Sequence, residues 1–407
     1  MDKNKRLTVW LPVIIAASIA LGIFIGNHYL SISQGKKRSY SSGNKINAIL
    51  DIIDEQYVDT VSMSKLVEST IPKIFSELDP HSVYIPAEDA SVVNEELEGS
   101  FSGIGVSFNM QTDTILVISV ISGGPAEKAG LLPFDRIISI NDSIFSGKKK
   151  NQGEIMKTLR GAKNSTVKLG VQRGNSPELL YFDVTRGDVP VNSVDVSYEA
   201  AKGIGYIKVS KFARNTYNEF ITAIAKLKQA GCTSFVIDLR GNTGGYMDAA
   251  INMINEFMPE GRLIVYTEGK SFPRSDVYAN GTGTCKDAPI VVLTDEISAS
   301  ASEIFSGAIQ DNDRGTIIGR RTYGKGLVQT QMSLSDGSEM RLTIARYYTP
   351  SGRCIQKKYE MGNTDAYDQD IYNRYMHGEF DSADSIKMDD SLKYQTVGGR
   401  TVYGGGG

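Results

Sequence analysis

Histidine is scarce in this 407-residue chain: there are three, His28 beside an apolar segment, His81 early in the chain and His377 in a polar tail. None lies in the α/β region described below, so a Ser-His-Asp arrangement has no evident base there. Cysteine is equally sparse. Cys232, Cys285 and Cys354 are odd in number and lack the paired CxxC spacing of a structural zinc site, so at most one disulfide can form and none is required. An excess of one charge is missing too: 44 Lys and Arg against 47 Asp and Glu leave a net charge of −3, which argues against nucleic acid as a partner. With 41% hydrophobic and 22% charged residues the composition is that of an ordinary globular protein, and the length suits two or three folded units.

One long apolar run is present. Thr8 to Gly26, TVWLPVIIAASIALGIFIG, is uncharged and 19 residues long. At ~1.5 Å per residue it roughly spans a hydrocarbon core and reads as an uncleaved membrane anchor, since only Ser31 and Ser33 resemble a signal-peptide cleavage site. Lys3, Lys5 and Arg6 before it nearly balance Lys36, Lys37 and Arg38 after it, so charge alone does not orient it. Residues 31–45 are rich in Ser, Gly and Lys and suit a flexible tether. Ile46, Leu50 and Ile53, then Leu66, Ile71 and Ile74, recur at helical spacing and predict a two-helix cap over 46–98, with a turn at Asp79 and Pro80.

From 99 to 187 short strands broken by glycine predict a small β-rich module with one helix over 152–159. From 188 to 356 strand and helix alternate, which predicts a layered α/β core, and Tyr217, Phe220, Ile224 and Leu227 form its first core-facing helical stripe. The tail from 357 to 407 is polar and acidic and ends in GGGG without a recognisable finishing element, so it reads as truncated.

Three stretches carry the chemistry. DEISASASEIFSGAIQ, residues 295–310, sits between an apolar strand and a helix. A serine at that turn is exposed beside the helix's positive end, where neighbouring N–H groups can hold an oxyanion, and Ser300 is the best placed of the three serines. The same serines also suit simple helix caps. Lys325, in RTYGKGLVQ, is flanked by Gly324 and Gly326, and Gln329 follows four residues on. Burial would lower a lysine's pKa from its usual ~10.4 and make it a general base, and a glutamine can orient the amine without adding a charge. An exposed loop cation is the plainer alternative for Lys325. DLRGNTGG, residues 238–245, ends an apolar strand, and its Gly244 and Gly245 amides, with that of Ala301, are candidate oxyanion donors. It lacks the Lys-Ser/Thr ending of a P-loop and the GxGxxG spacing of a dinucleotide fold.

Together these stretches resemble the C-terminal processing peptidases, or tail-specific proteases, over about residues 78–356. LDPHSVYI (78–85), SGIGVSF (102–108) and GGPAEKAGLLPFDRIISIND (123–142) resemble that family's cap and PDZ segments, and LRGNTGG, SASASEI, YGKGLVQ and YYTPSGRCIQ (347–356) resemble its catalytic core. The resemblance implies an α/β core of crotonase/ClpP-like layering with an inserted PDZ domain and an N-terminal helical cap, to which the apolar run adds an N-terminal transmembrane helix. It implies Ser300 as nucleophile, Lys325 as general base and Gln329 as its support, with no metal or cofactor. Gly103, Ile104, Gly105 and Val106 match the carboxylate-binding loop of a PDZ domain, which would take the unstructured, apolar C-termini of protein substrates. The expected setting is a bacterial inner membrane, with the peptidase facing the periplasm or cell envelope and assembling as a homodimer. Two departures stand out, Phe134 where the family has glycine and Cys354 where it has serine. Two other readings remain: a catalytically silent PDZ scaffold that binds protein C-termini, and an acyl-CoA enzyme on a crotonase-like fold.

Overall fold

A computed structural model describes residues 42–111, 114–145 and 152–407, together with positions 16, 18, 19 and 21. The expected anchor over 8–26 and tether over 31–45 lie almost wholly outside the described residues. No helix among the described residues is long and apolar enough to cross a membrane. The chain divides into two units, 1–70 and 71–407. The first contains the helix Ser42–Gln56, as the spacing of Ile46, Leu50 and Ile53 predicts, and the start of the helix Met63–Ser76, which ends in the second unit.

Within the second unit, a small antiparallel sheet runs in the order Val106–Gln111, Thr114–Val120, Arg136–Ile140, Thr166–Gln172, Leu180–Thr185. Val167, Leu169 and Val171 alternate inward along one strand and are wholly buried, and Ile155 and Leu159 of the helix Gln152–Leu159 close the same apolar core. Among the described residues Val106–Gln111 pairs with Thr114–Val120 alone and leaves its other edge open. The sequence did not announce the short helix Pro125–Ala129, although Pro125 at its first turn and the left-handed Gly130 after it are its natural start and stop. Phe134 adopts φ 70 with its ring exposed, so the residue that departs from the resembled family sits in a conformation glycine takes without strain.

The α/β core has two sheets. One runs Val194–Ala201, Ile204–Val209, Ser234–Asp238, Ile290–Thr294, Thr316–Gly319, and all but its first pair are parallel. The other is antiparallel and joins Val83–Ile85, Glu339–Tyr348, Leu263–Glu268 and Ser275–Tyr278, with Leu327–Ser333 on the far side of Glu339–Tyr348. The helix Ala301–Asp311 packs against both sheets. Ten of its eleven residues are buried, which makes it a central helix rather than an amphipathic surface one.

The polar tail, whose sequence shows no recognisable finishing element, is folded. It forms the helices Thr364–Asp368 and Asp370–Met376 and a two-stranded ladder of Lys393–Gln395 with Thr401–Tyr403. Its polar groups are used internally: Arg374, almost fully buried, donates to the carbonyls of Arg321 and Thr322 at 2.5 and 2.9 Å and pairs with Glu379. Asp313 accepts from Thr396 Oγ1 at 3.0 Å and pairs with Arg400. Polarity that suggests solvation in the sequence is spent on hydrogen bonds and ion pairs that hold the tail to the core.

Candidate active site

Ser234–Asp238 and Ile290–Thr294 are adjacent parallel strands, so the loops at their carboxyl ends meet at one end of the sheet. Two serines sew those loops together: Ser298 Oγ donates to the Leu239 carbonyl at 2.8 Å, and Ser302 Oγ donates to the Asn242 carbonyl at 2.9 Å. The serine between them, Ser300, caps the helix Ala301–Asp311 with φ 55 and ψ −111, a conformation that non-glycine residues adopt only under strain and that recurs at functional turns. The cap reading and the nucleophile reading of this serine are therefore compatible.

The glycine loop passes against Ser300. A Cβ on Gly244 would lie 2.8 Å from the Ser300 Cβ and 3.0 Å from the Ala301 nitrogen, so only glycine fits. Of the three amides expected to face an oxyanion, Gly244's is already committed, donating to Asn242 Oδ1 at 2.8 Å. This corrects the expectation: an Asn two residues back closes an Asx turn on that amide. The amides of Gly245 and Ala301 meet no acceptor among the described residues, and Ala301 opens a helix whose dipole favours negative charge there.

Lys325 Nζ donates to Gln329 Oε1 at 3.0 Å, and Gln329 Nε2 donates to the His81 carbonyl. Burial pushes the Lys325 pKa down to about 8. The nearby Arg341 charge adds to the shift, against the opposing pull of Asp79 and Glu303. No hydrogen bond joins Ser300 Oγ to Lys325 Nζ in this structure; their backbones are joined instead.

That junction comes from two residues the sequence reading did not single out. Glu303, 2% exposed, accepts from the backbone N–H of Ser300 at 2.9 Å, of Gly324 at 2.7 Å and of Lys325 at 2.8 Å, and from Thr322 Oγ1 at 2.7 Å. Burial pushes its pKa up to about 7 even against these four donors. Tyr347 donates its hydroxyl to the carbonyls of both Ser300, at 3.1 Å, and Lys325. A signal for Glu303 existed, because Ser300 and Glu303 have the Ser-x-x-Glu spacing of a capping box. None existed for Tyr347, which lies 47 residues from Ser300.

The β-rich module has a second set of free donors. The carbonyls of Ile104 and Gly105 accept from Ala126 and Ile121 at 2.7 and 2.9 Å, while their own amides meet no acceptor among the described residues. Gly105 is held at φ 78. The loop leads directly into the open edge strand Val106–Gln111, which is the geometry of strand addition with carboxylate capture.

A strained serine at a strand-to-helix turn, a lysine of lowered pKa and two unspent amides are the equipment of a serine hydrolase, here joined to a peptide-binding module. Comparisons with known proteins agree. Residues 203–365 match the model of Peptidase family S41, and residues 102–195 that of the PDZ domain. The chain is 35% identical over 318 residues to the carboxy-terminal processing protease CtpB of Bacillus subtilis, covering 77% of this chain and 66% of that one. It is 33% identical over 365 residues to a Staphylococcus aureus protein named "Probable CtpA-like serine protease", covering 88% of this chain and 72% of that one. A solved photosystem II D1 C-terminal processing protease shares 27% identity at a TM-score of 0.42, over 77% of this chain and 90% of that one. The chain belongs to peptidase family S41 and is a serine-type peptidase carrying a PDZ domain.

Proposed function

We propose that this peptidase cleaves proteins at or near their C-termini through Ser300 and Lys325, fed by a PDZ domain that binds the substrate's loose C-terminal tail. The observation that carries this reading is the state of Lys325: a partly buried amine with its pKa brought down to about 8, held by an uncharged amide, and tied through Glu303 and Tyr347 to the backbone of Ser300. Neutral Lys325 takes the Ser300 hydroxyl proton as Oγ attacks the scissile carbonyl. The amides of Gly245 and Ala301 stabilise the oxyanion, the protonated lysine returns its proton to the leaving amine, and water then hydrolyses the acyl-enzyme. Gln329 keeps one amine N–H occupied, which leaves the nitrogen lone pair for the serine. The hydrogen bond from Ser300 Oγ to Lys325 Nζ forms when substrate arrives, since catalytic hydrogen bonds are commonly made only in the substrate complex.

The Ile104 and Gly105 amides are the carboxylate site of the tail, with Gly103 and Val106 flanking them, and the tail's backbone adds a strand to Val106–Gln111. The apolar length of residues 8–26 supports a single-pass anchor; a peptidase on the outer, envelope side of the membrane and homodimerisation follow from the family resemblance alone. The test compares cleavage of an unstructured protein with an apolar C-terminus by wild type, Ser300→Ala and Lys325→Ala, each shown to be folded. Both variants should lose at least ~10³-fold in kcat/KM. A Ser300→Ala variant as fast as wild type sinks the assignment, and tail binding without any cleavage by wild type would favour the scaffold.

A further inference from the structure

Gln329 can support Lys325 only if the right end of its amide faces the amine, and nothing in glutamine itself decides this: the group is a donor at one end and an acceptor at the other. The structure places the decision in the turn Asp79 to Ser82. Because the His81 carbonyl can only accept, it takes Gln329 Nε2, and Oε1 is thereby turned to Lys325 Nζ at 3.0 Å.

The position of that carbonyl is itself fixed. Asp79, 8% exposed, accepts from the His81 amide at 3.0 Å, the Ser82 amide at 3.1 Å, Ser82 Oγ at 2.6 Å and Thr343 Oγ1 at 2.9 Å. Ser82 Oγ in turn accepts the Thr343 amide at 3.1 Å. Thr343 stands directly across the ladder from Gln329, so the two side chains lie on the same face of the sheet, beneath this turn. Two residues further along, Val83 pairs with Arg341 of the same strand, so the turn is clamped to the strand at its far end as well. On its other side the His81 ring nitrogen Nε2 meets the Tyr367 hydroxyl at 2.9 Å. The carbonyl is thus held on three sides by groups that make no hydrogen bond to Lys325.

We infer that Asp79, Ser82 and Thr343 are positioning residues for the general base: they hold the His81 carbonyl where it orients the Gln329 amide, and through it the Lys325 amine. The inference rests on the proposed roles of Lys325 and Gln329. Asp79 is a poor first variant, because its charge also acts on Lys325 directly, whereas Ser82→Ala and Thr343→Val change no charge.

The test is a double-mutant cycle on kcat and KM with the full-length protein, using wild type, Thr343→Val, Gln329→Ala and the double variant, with Ser82→Ala in a parallel cycle and Thr343→Ser as the conservative rescue. Thr343→Val and Ser82→Ala should each lower kcat by about tenfold with KM little changed, since they loosen the amine rather than the substrate. Thr343→Ser, which keeps the hydroxyl donated to Asp79, should recover most of the loss. In the Gln329→Ala background the Thr343→Val penalty should disappear, because the residue through which it acts is gone. If the penalties multiply instead, the turn is only structural and the inference fails, while the Ser300 and Lys325 assignment stands. If Gln329→Ala alone leaves kcat unchanged, the support role of Gln329 fails first, and this inference with it. Thermal melting and binding of a C-terminal peptide accompany each variant; a drop in kcat that follows melting temperature and is not rescued by Thr343→Ser also overturns the inference.

Discussion

The PDZ domain and the peptidase core both leave backbone amides unspent among the described residues, yet they arrive at them in different ways. In the PDZ domain the donors are consecutive: Ile104 and Gly105 lie in one loop, their carbonyls locked by Ala126 and Ile121, with no buried ionisable group needed to hold them. In the core the site draws on five separate stretches, around His81, Gly245, Ser300, Lys325 and Tyr347, and buried polar side chains join them. The difference is one of task. Binding a carboxylate needs donors in a row, whereas peptide cleavage needs a nucleophile, a base of adjusted pKa and an oxyanion site, and no single loop supplies all three.

Breaking the core's cross-brace should therefore be the most damaging change and should leave the PDZ domain untouched. Glu303→Ala strands four donors in a buried site, which should cost about 3 kcal/mol of stability and lower kcat/KM at least ~100-fold. Denaturant melts, kinetics and peptide titration on the same preparation check this, and equal losses in peptide affinity would mean the two regions are not separable.

A second change sharpens the contrast by showing what the catalytic site costs the fold. The folded pKa of Lys325 is about 8, below its ordinary 10.5, so between those values the unfolded chain binds more protons and stability rises with pH. Below about pH 8 the full penalty of a partly buried ammonium is present. Lys325→Met should then stabilise the protein by about 2 kcal/mol at pH 7, a gain that fades toward pH 10.5. Melts at several pH values decide it, and a gain independent of pH would point to packing instead.

For the PDZ side, Gly105→Ala forces a side chain into φ 78 and should weaken tail binding about tenfold while kcat on a short untailed peptide is retained. The smallest effect concerns electrostatics in the core. Wild-type kcat/KM should rise with pH through about 8, as Lys325 loses its proton. Arg341→Gln removes a charge that disfavours the ammonium, so the midpoint should move up by about half a pH unit. A downward move would show that Arg341 acts in another way.

The legibility of the two regions follows the same division. Strand alternation and glycine punctuation lie within a few residues of each other, so the PDZ strands Arg136–Ile140 and Thr166–Gln172 and the helix Gln152–Leu159 could be read nearly to their ends. The strands Leu327–Ser333 and Glu339–Tyr348 were not read. They are half-buried along most of their length and carry polar residues such as Gln329 and Thr343 that serve the site, so alternation is blurred there. The tail is hard to read for a related reason, since Arg374 has the composition of a solvated surface yet is almost fully buried against Glu379 and two carbonyls of the core.

The β-rich module, the α/β alternation and the candidacy of Ser300, Lys325 and Gln329 are legible in the chain alone, because each depends on neighbouring residues or on a local motif. Long-range packing is what lets Glu303 and Tyr347 tie the serine to the lysine and brings the turn at Asp79 against Gln329. Hydrogen bonds across 21 to 248 residues, and the burial that lowers a lysine's pKa, exist only once distant segments have packed together.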